Sequence, residues 1–244
     1  MKIISLNIEL NRHHDLVLPF LKKELPEVIC LQEFLEEDFE MYKKELGMDG
    51  VYRLTNYIND KVHLESRGKK EGIAIFSKKI ESSGYLFHVW DQEKTELPFD
   101  EYITATNLVK PRALLWVDVK DSKGDVFKII TSHLTITHEG EATPFQLEMN
   151  KIFINQLKSF GEFIFCGDTN APRGRAAFDT IAKEFKDNIP LKYKYSLDPV
   201  LHRVKGLDYM VDCLFTTRGY EAFNVELKGG ISDHMAVVAE VRKK

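Results

Sequence analysis

A carboxylate and an amide stand two residues apart where an apolar run breaks off, in Phe163-Ile-Phe-Cys-Gly-Asp-Thr-Asn-Ala-Pro172. Phe163 to Cys166 read as a buried strand, and Gly167 interrupts it. Alternation along an extended chain sends Asp168 and Asn170 to one side and turns Thr169 away. Placed there, Asp168 can take a proton or hold a metal, and Asn170 can orient a phosphate oxygen or a water. An Asx-type turn closing a strand uses the same residues, so the pair acquires meaning only from what arrives beside it.

Polar groups of the same kind recur at the ends of other apolar runs. Asn7 interrupts the first run, Glu33 ends Val28-Ile-Cys-Leu-Gln-Glu33, and His133 lies within Ile129–Leu134. Asp208 opens a run in Gly206-Leu-Asp-Tyr-Met210, and Asp233-His234 precede the closing one. Singly, each is ordinary: a strand-end acid is usually solvated, and a lone histidine in an apolar strand is usually a hydrogen-bonded core residue. Together, strands that share one core bring these groups to one place. Converging carboxylates repel unless a cation, a histidinium or a proton intervenes. A hard divalent cation that prefers oxygen ligands fits best, Mg²⁺ or Mn²⁺ in its place.

The elements that must position these residues follow from periodicity. Residues 2–10 alternate as a strand, residues from His14 to Leu25 take helical spacing closed by Pro26, and Val28–Glu33 is again a strand, so the chain opens β-α-β. A short helix is expected over Glu37–Leu46, ended by Gly47. Strands are expected at Tyr52–Ile58, Gly72–Phe76, Tyr85–Trp90, Ala113–Val119 and Val126–Leu134. Helices are expected at about Pro144–Ser159 and Arg175–Phe185, and closing strands at about Asp208–Thr216, Ala222–Leu227 and Met235–Val241. Strands mostly follow one another directly, which points to antiparallel sheets with helices outside. The connection from Asp91 to Arg112 is long enough to be a functional loop, one that could fold over the site.

The 244 residues carry a formal net charge of −4, with 43% hydrophobic and 30% charged residues. That balance argues against coating duplex nucleic acid by charge alone and leaves room for a local basic patch. Cys30, Cys166 and Cys213 each lie in an apolar run, as reduced thiols of a cytoplasmic protein do. Asn7 and Glu9 make the first residues too polar for a signal peptide. No apolar run is long enough to span a membrane. One domain over residues 1–244, acting as a monomer, is the expectation.

The order Leu6-Asn7, Leu31-Gln-Glu33, Gly72-Ile-Ala-Ile-Phe-Ser77, Thr131-Ser-His-Leu134, Gly167-Asp-Thr-Asn170, Leu207-Asp-Tyr209 and Ser232-Asp-His234 resembles the endonuclease/exonuclease/phosphatase superfamily over nearly the whole chain. The resemblance implies a four-layer α/β sandwich, two mainly antiparallel sheets packed face to face with helices outside. It implies Glu33 as principal Mg²⁺ ligand with Asn7 beside it and Asp233 completing the surroundings. Asp168 would position or deprotonate the attacking water, Asn170 and His133 would contact the phosphate, and Asp208 would pair with His234. Glu9 matches a position where some members add a second acid, with contact to the metal's water shell and plain solvation as its two readings.

The Gly-Asp-Thr-Asn and Thr-Ser-His-Leu fillings look most like the type 2 tyrosyl-DNA phosphodiesterases, which implies a DNA-end substrate. Arg173 and Arg175 are candidates for contact with substrate phosphates, or else the solvated start of a helix. Leu191–Lys205 interleaves Lys192, Tyr193, Lys194, Tyr195, His202, Arg203 and Lys205, a mixture that suits stacking on single-stranded bases beside a charged groove. Ala171-Pro-Arg173 and Thr143-Pro-Phe-Gln146 depart from those phosphodiesterases. A small-molecule or headgroup phosphate ester is therefore the alternative substrate, and an inactive binding domain the alternative class.

Overall fold

The computed structural model describes residues 1–58, 63–89 and 110–244. Trp90 and most of the Asp91–Arg112 connection lie outside the described residues. Two six-stranded sheets carry the fold. The first has the order β11-β12-β1-β2-β4-β3, with β1 at Lys2–Asn7, β2 at Val28–Leu35, β3 at Asp49–Tyr57, β4 at Lys70–Ser77, β11 at Tyr220–Lys228 and β12 at Ala236–Lys243. The second has the order β5-β6-β7-β8-β10-β9, with β5 at Ile80–Val89, β6 at Arg112–Lys120, β7 at Val126–His133, β8 at Ile164–Asp168, β9 at Lys186–Asp187 and β10 at Asp212–Thr216. Four helices are described: α1 at His14–Glu24, α2 at Phe39–Leu46, α3 at Pro144–Ser159 and α4 at Ala176–Ala182.

The helices begin and end where local chemistry dictates. The Thr143 hydroxyl accepts from the Gln146 N–H at 3.1 Å and Pro144 takes the first helical turn of α3, where no N–H is needed. Gly47 ends α2 in the left-handed conformation, returning its N–H to the Lys43 and Lys44 carbonyls.

Layering follows from which face of each strand is apolar. Ile4, Leu6, Ile29 and Leu31 pack outward with Val17, Leu21 and Tyr42 of α1 and α2. Ile130, Phe165 and Phe215 pack outward with Phe153, Leu157, Phe178 and Ile181 of α3 and α4. The opposite faces meet each other: Ile3, Val28, Cys30 and Ile75 join Leu115, Ile129, Ile164, Cys166 and Leu214 in one core between the sheets. This is a four-layer α/β sandwich, and each fully buried Ile or Leu contributes roughly 1.5–3 kcal/mol to holding it.

Most pairings are antiparallel, as expected from the directly connected strands. The centre of each sheet is not. There β1 runs parallel to β2, and β7 parallel to β8, each pair bridged by a helix, α1 or α3. Both sheets therefore repeat one order of strand directions, and both parallel pairs point their carboxyl ends toward the same region.

Candidate active site

Read along their inner faces, the four central strands share a gradient. Ile3-Ser5-Asn7, Val28-Cys30-Gln32, Ile129-Thr131-His133 and Ile164-Cys166-Asp168 each run from apolar to polar toward the carboxyl end. Asn7 lies beside Gln32, and His133 beside Asp168. Period-two alternation thus turns the end of the inter-sheet seam into a polar cleft floor. Gln32 ties the sheets there, its amide donating to the Thr131 hydroxyl at 2.9 Å.

Glu33 reaches the same floor by breaking the alternation. Its parity would send it outward with Ile29 and Leu31. Instead the register slips between Leu31 and Phe34, and Glu33 adopts φ +51°. That bulge, at a backbone conformation uncommon for a non-glycine residue, re-aims the carboxylate inward. The Asn7 amide donates to Glu33 Oε1 at 3.2 Å and to Asp168 Oδ2 at 3.2 Å, joining the two sheets through one side chain. The Glu9 N–H in turn donates to Asn7 Oδ1 at 3.2 Å, which fixes the amide's orientation.

Asp168 is the focus. Its Oδ1 accepts from the Asn170 N–H at 2.7 Å, while Oδ2 has His133 Nε2 at 3.5 Å and His234 Nε2 at 3.9 Å. Thr169 is turned aside, its hydroxyl donating to the Val211 carbonyl at 2.6 Å. Asn170 sits at φ +49°, which asparagine tolerates, and its amide donates to the Leu134 carbonyl at 3.0 Å. Burial raises the Asp168 carboxyl to about 6, against the pull of His234 and with the added push of Asp212. Burial, then the charges of Glu71 and Asp233, raise Glu33 to about 7.

The histidines differ in charge. Burial, aided by the positive charges of Arg112, His234 and Lys110, holds His133 well below the usual imidazole range, so it is neutral. Burial would lower His234 too, but the Asp212 and Asp168 carboxylates outweigh it and lift the ring well above that range. His234 is therefore an imidazolium at neutral pH.

The partner of His234 is Asp212, not Asp208. His234 Nδ1 lies 2.8 Å from Asp212 Oδ2, both groups buried, whereas Asp208 is exposed. The last strand of the second sheet opens at Asp212 rather than Asp208, directly opposite Asp168. The acid that the strand register delivers lies four positions after Asp208 of the tempting Leu207-Asp-Tyr209.

Arg173 is largely enclosed. It pairs with Asp187 at 2.8 Å and donates to the Ile189 carbonyl at 3.0 Å, fastening the strand edge at β9. Arg175 pairs with Glu141 at 3.0 Å and lies over the Tyr209 ring at 4.8 Å. Glu9 is neither solvated nor turned to the cleft acids. Burial alone would raise it, yet His63, His13 and Arg12 bring it down to about 2, with Arg12 at 2.9 Å and His13 at 3.1 Å. Asp233 is buried and accepts from the Ser232 hydroxyl at 3.2 Å. Two acids lay outside the sequence reading, Asp212 and the buried Glu71, which precedes Gly72 at the start of a strand.

A cation fits this donor set. Glu33 offers carboxylate oxygens, Asn7 would offer its own with the amide turned over, Asp233 and Glu71 add negative charge, and the Glu33 carboxyl, raised first by burial and then by those two acids, is a group that a cation would keep ionised. No three His, Cys, Asp or Glu side chains among the described residues close on one metal position.

Residues 4–235 match the family described as Endonuclease/Exonuclease/phosphatase family. No curated protein matches the sequence. Among solved structures, an endonuclease/exonuclease/phosphatase from Bacteroides vulgatus superposes with a TM-score of 0.74 at 17% identity, over 100% of this chain and 98% of that one. A mannosyl-6-phosphatase from Bacteroides thetaiotaomicron gives 0.72 at 14% identity, over 99% of each. A humanized TDP2 from D. rerio gives 0.63 at 19% identity, over 100% of this chain and 99% of that one. At these identities the likeness shows the fold alone.

Proposed function

The chain belongs to the endonuclease/exonuclease/phosphatase family, and from that premise we propose that it is a Mg²⁺-dependent phosphodiesterase acting at DNA ends, in the manner of the 5′-tyrosyl-DNA phosphodiesterases. The observation that carries the reading is the convergence of Asn7, His133 and His234 on one oxygen of Asp168, beside Glu33. Asp168, raised to about 6, is ionised at neutral pH yet basic enough to take a proton from an attacking water. The His234 imidazolium, oriented by Asp212, would stabilise the charge that builds on the phosphate during in-line attack. Asn170 and neutral His133 would hold phosphate oxygens. Glu33 and Asn7, with Asp233 nearby, would hold Mg²⁺, or Mn²⁺, whose chemistry is to polarise the phosphate and offset its charge.

The Gly167-Asp-Thr-Asn170 and Thr131-Ser-His-Leu134 fillings support the DNA-end substrate. A specific observation favours a second reading. Arg173, in the departing Ala171-Pro-Arg173 sequence, is engaged with Asp187 instead of facing solvent. A small-molecule phosphate ester is that alternative, and the fold is shared with a structure named a mannosyl-6-phosphatase.

The test is Mg²⁺-dependent release of tyrosine from a short single strand bearing a 5′-phosphotyrosyl end. Turnover that falls by about 10³-fold or more in Asp168→Asn, and vanishes in EDTA, is the expected result. Turnover of a generic bis-aryl phosphate without tyrosine release would move the substrate to small esters. Silence on both would make the chain a binding domain.

A further inference from the structure

His202 belongs to the basic, aromatic segment that the chemistry above leaves unused, yet it is held beside the site with unusual care. Its ring centroid lies 6.5 Å from that of His234, edge to face at 71°. The turn that carries it is built on Asp198, a buried acid. Asp198 Oδ1 accepts from the Val200 and Leu201 N–H groups at 2.9 Å each, and the Asp198 carbonyl accepts from the His202 N–H at 2.9 Å. Asp198 is also clamped to the loop that presents His234. Its N–H donates to the Asp233 carbonyl at 2.7 Å, and its Oδ2 accepts from the Gly230 N–H at 2.6 Å. Leu197 bridges to His234 itself, and a Cβ on Gly229 would press on Asp198 Oδ2 at 2.8 Å. The Lys205 ammonium closes the turn on the Val200 and His202 carbonyls at 2.6 and 2.8 Å.

Only one end of the imidazole is engaged. Val204 holds Nδ1, through its carbonyl at 2.8 Å or its N–H at 3.2 Å according to the tautomer. Nε2 has no hydrogen-bond partner among the described residues. When Nε2 carries the proton, the Val204 N–H satisfies Nδ1, so the ring can present a donor without losing its anchor. A donor held 6.5 Å, ring to ring, from the His234 imidazolium suits an anion larger than one phosphate. Arg203 beside it is exposed and adds positive charge.

We infer that His202 is a substrate-contacting residue that binds the phosphate next to the scissile one along a nucleic-acid strand. The inference rests on the DNA-end reading above and adds a specificity determinant to it. A single phosphate ester would engage His234 alone, whereas a strand places its next phosphate within reach of His202.

Thymidine 5′-phosphate and thymidine 3′,5′-bisphosphate separate the two positions, and calorimetry reads their binding without turnover. The wild type is expected to bind the bisphosphate more tightly. His202→Ala should weaken bisphosphate binding roughly tenfold, the worth of one charge-assisted hydrogen bond, and leave the monophosphate unchanged. His202→Gln, which keeps a donor, should recover part of the loss and stands in if the alanine variant melts below wild type. On the tyrosyl strand, His202→Ala should raise KM and spare kcat. Equal weakening of both nucleotides, or of neither, would overturn the inference. A His202-dependent preference for the bisphosphate in a protein that releases no tyrosine would keep the subsite and retire the DNA-end substrate.

Discussion

Asp168 presents two oxygens with different surroundings. Oδ1 is pinned by the Asn170 N–H, which stops the carboxylate from rotating, and Oδ2 is left among donors from both sheets. The group that tunes it from behind is Asp212, through His234. Replacing Asp212 by Asn would remove the nearest of the charges that keep the ring protonated, and activity should fall by about 10²–10⁴-fold, with a pH profile that moves to lower pH. Asp208→Asn should change activity by less than about twofold, since an exposed acid away from the pair has little to contribute. Steady-state rates of the two variants decide between the acids. At this scale the sequence was legible where a polar residue stands in or just past a mostly apolar run, as at Asn7, His133 and Asp168, which the fold brings together. It misled at Asp208, whose run Tyr209-Met-Val211 is broken by the very acid that matters. Asp212 opens the unbroken Cys213-Leu-Phe215, and that was the usable signal. The pairing of Arg173 with Asp187 and that of Glu9 with His63 were not legible, because each joins residues well apart in the chain.

Helix α3 was legible to its end residues because its start combines a threonine cap, a proline and helical spacing. The parallel central pairs were not legible, since no local signal in β1 or β7 records which strand will lie beside it. Nor was β9, whose two residues hold no periodicity. The Glu33 bulge shows why pattern reading needs the structure: a strict alternation would have turned the principal acid toward the helices. Closeness of neighbouring strands sets another constraint, at Gly167. A Cβ there would sit well inside van der Waals contact with the Ser132 carbonyl oxygen on β7. Gly167→Ala should therefore cost about 3 kcal/mol in denaturant unfolding, the upper end for overpacking, and should weaken activity through the displaced Asp168. A variant as stable as wild type would show that the β7–β8 pair has slack.

For the whole molecule, Glu33 held ionised among buried acids is a stability liability that a bound cation would offset. Saturation with Mg²⁺ at about 100 times its Kd should add about 2.7 kcal/mol and raise Tm by roughly 5–10 °C, and Glu33→Gln should remove most of that shift. The pH dependence follows from Glu33, raised from 4.5 to about 7. Between those values the native state keeps a proton that the unfolded chain has lost, so this group's contribution to metal-free stability declines as pH rises through the window. The cation takes the proton's place, so the Mg²⁺-induced shift should grow over the same window and level off above about 7. A shift that is flat from pH 5 to 8 would remove Glu33 from the metal site. Melting curves with and without Mg²⁺ across that range supply the measurement.

The Asp212–His234 pair spans the two sheets: Asp212 opens a strand of the second, while His234 precedes β12, which lies between β11 and β1 of the first. The second sheet is threaded as one continuous stretch between β4 and β11. During synthesis, then, the whole second sheet, with Asp168 and Asp212, leaves the ribosome before His234 and β12 do. On the function proposed above, the site would be complete only once β12 joins the first sheet, so a half-made chain would not yet hydrolyse its substrate.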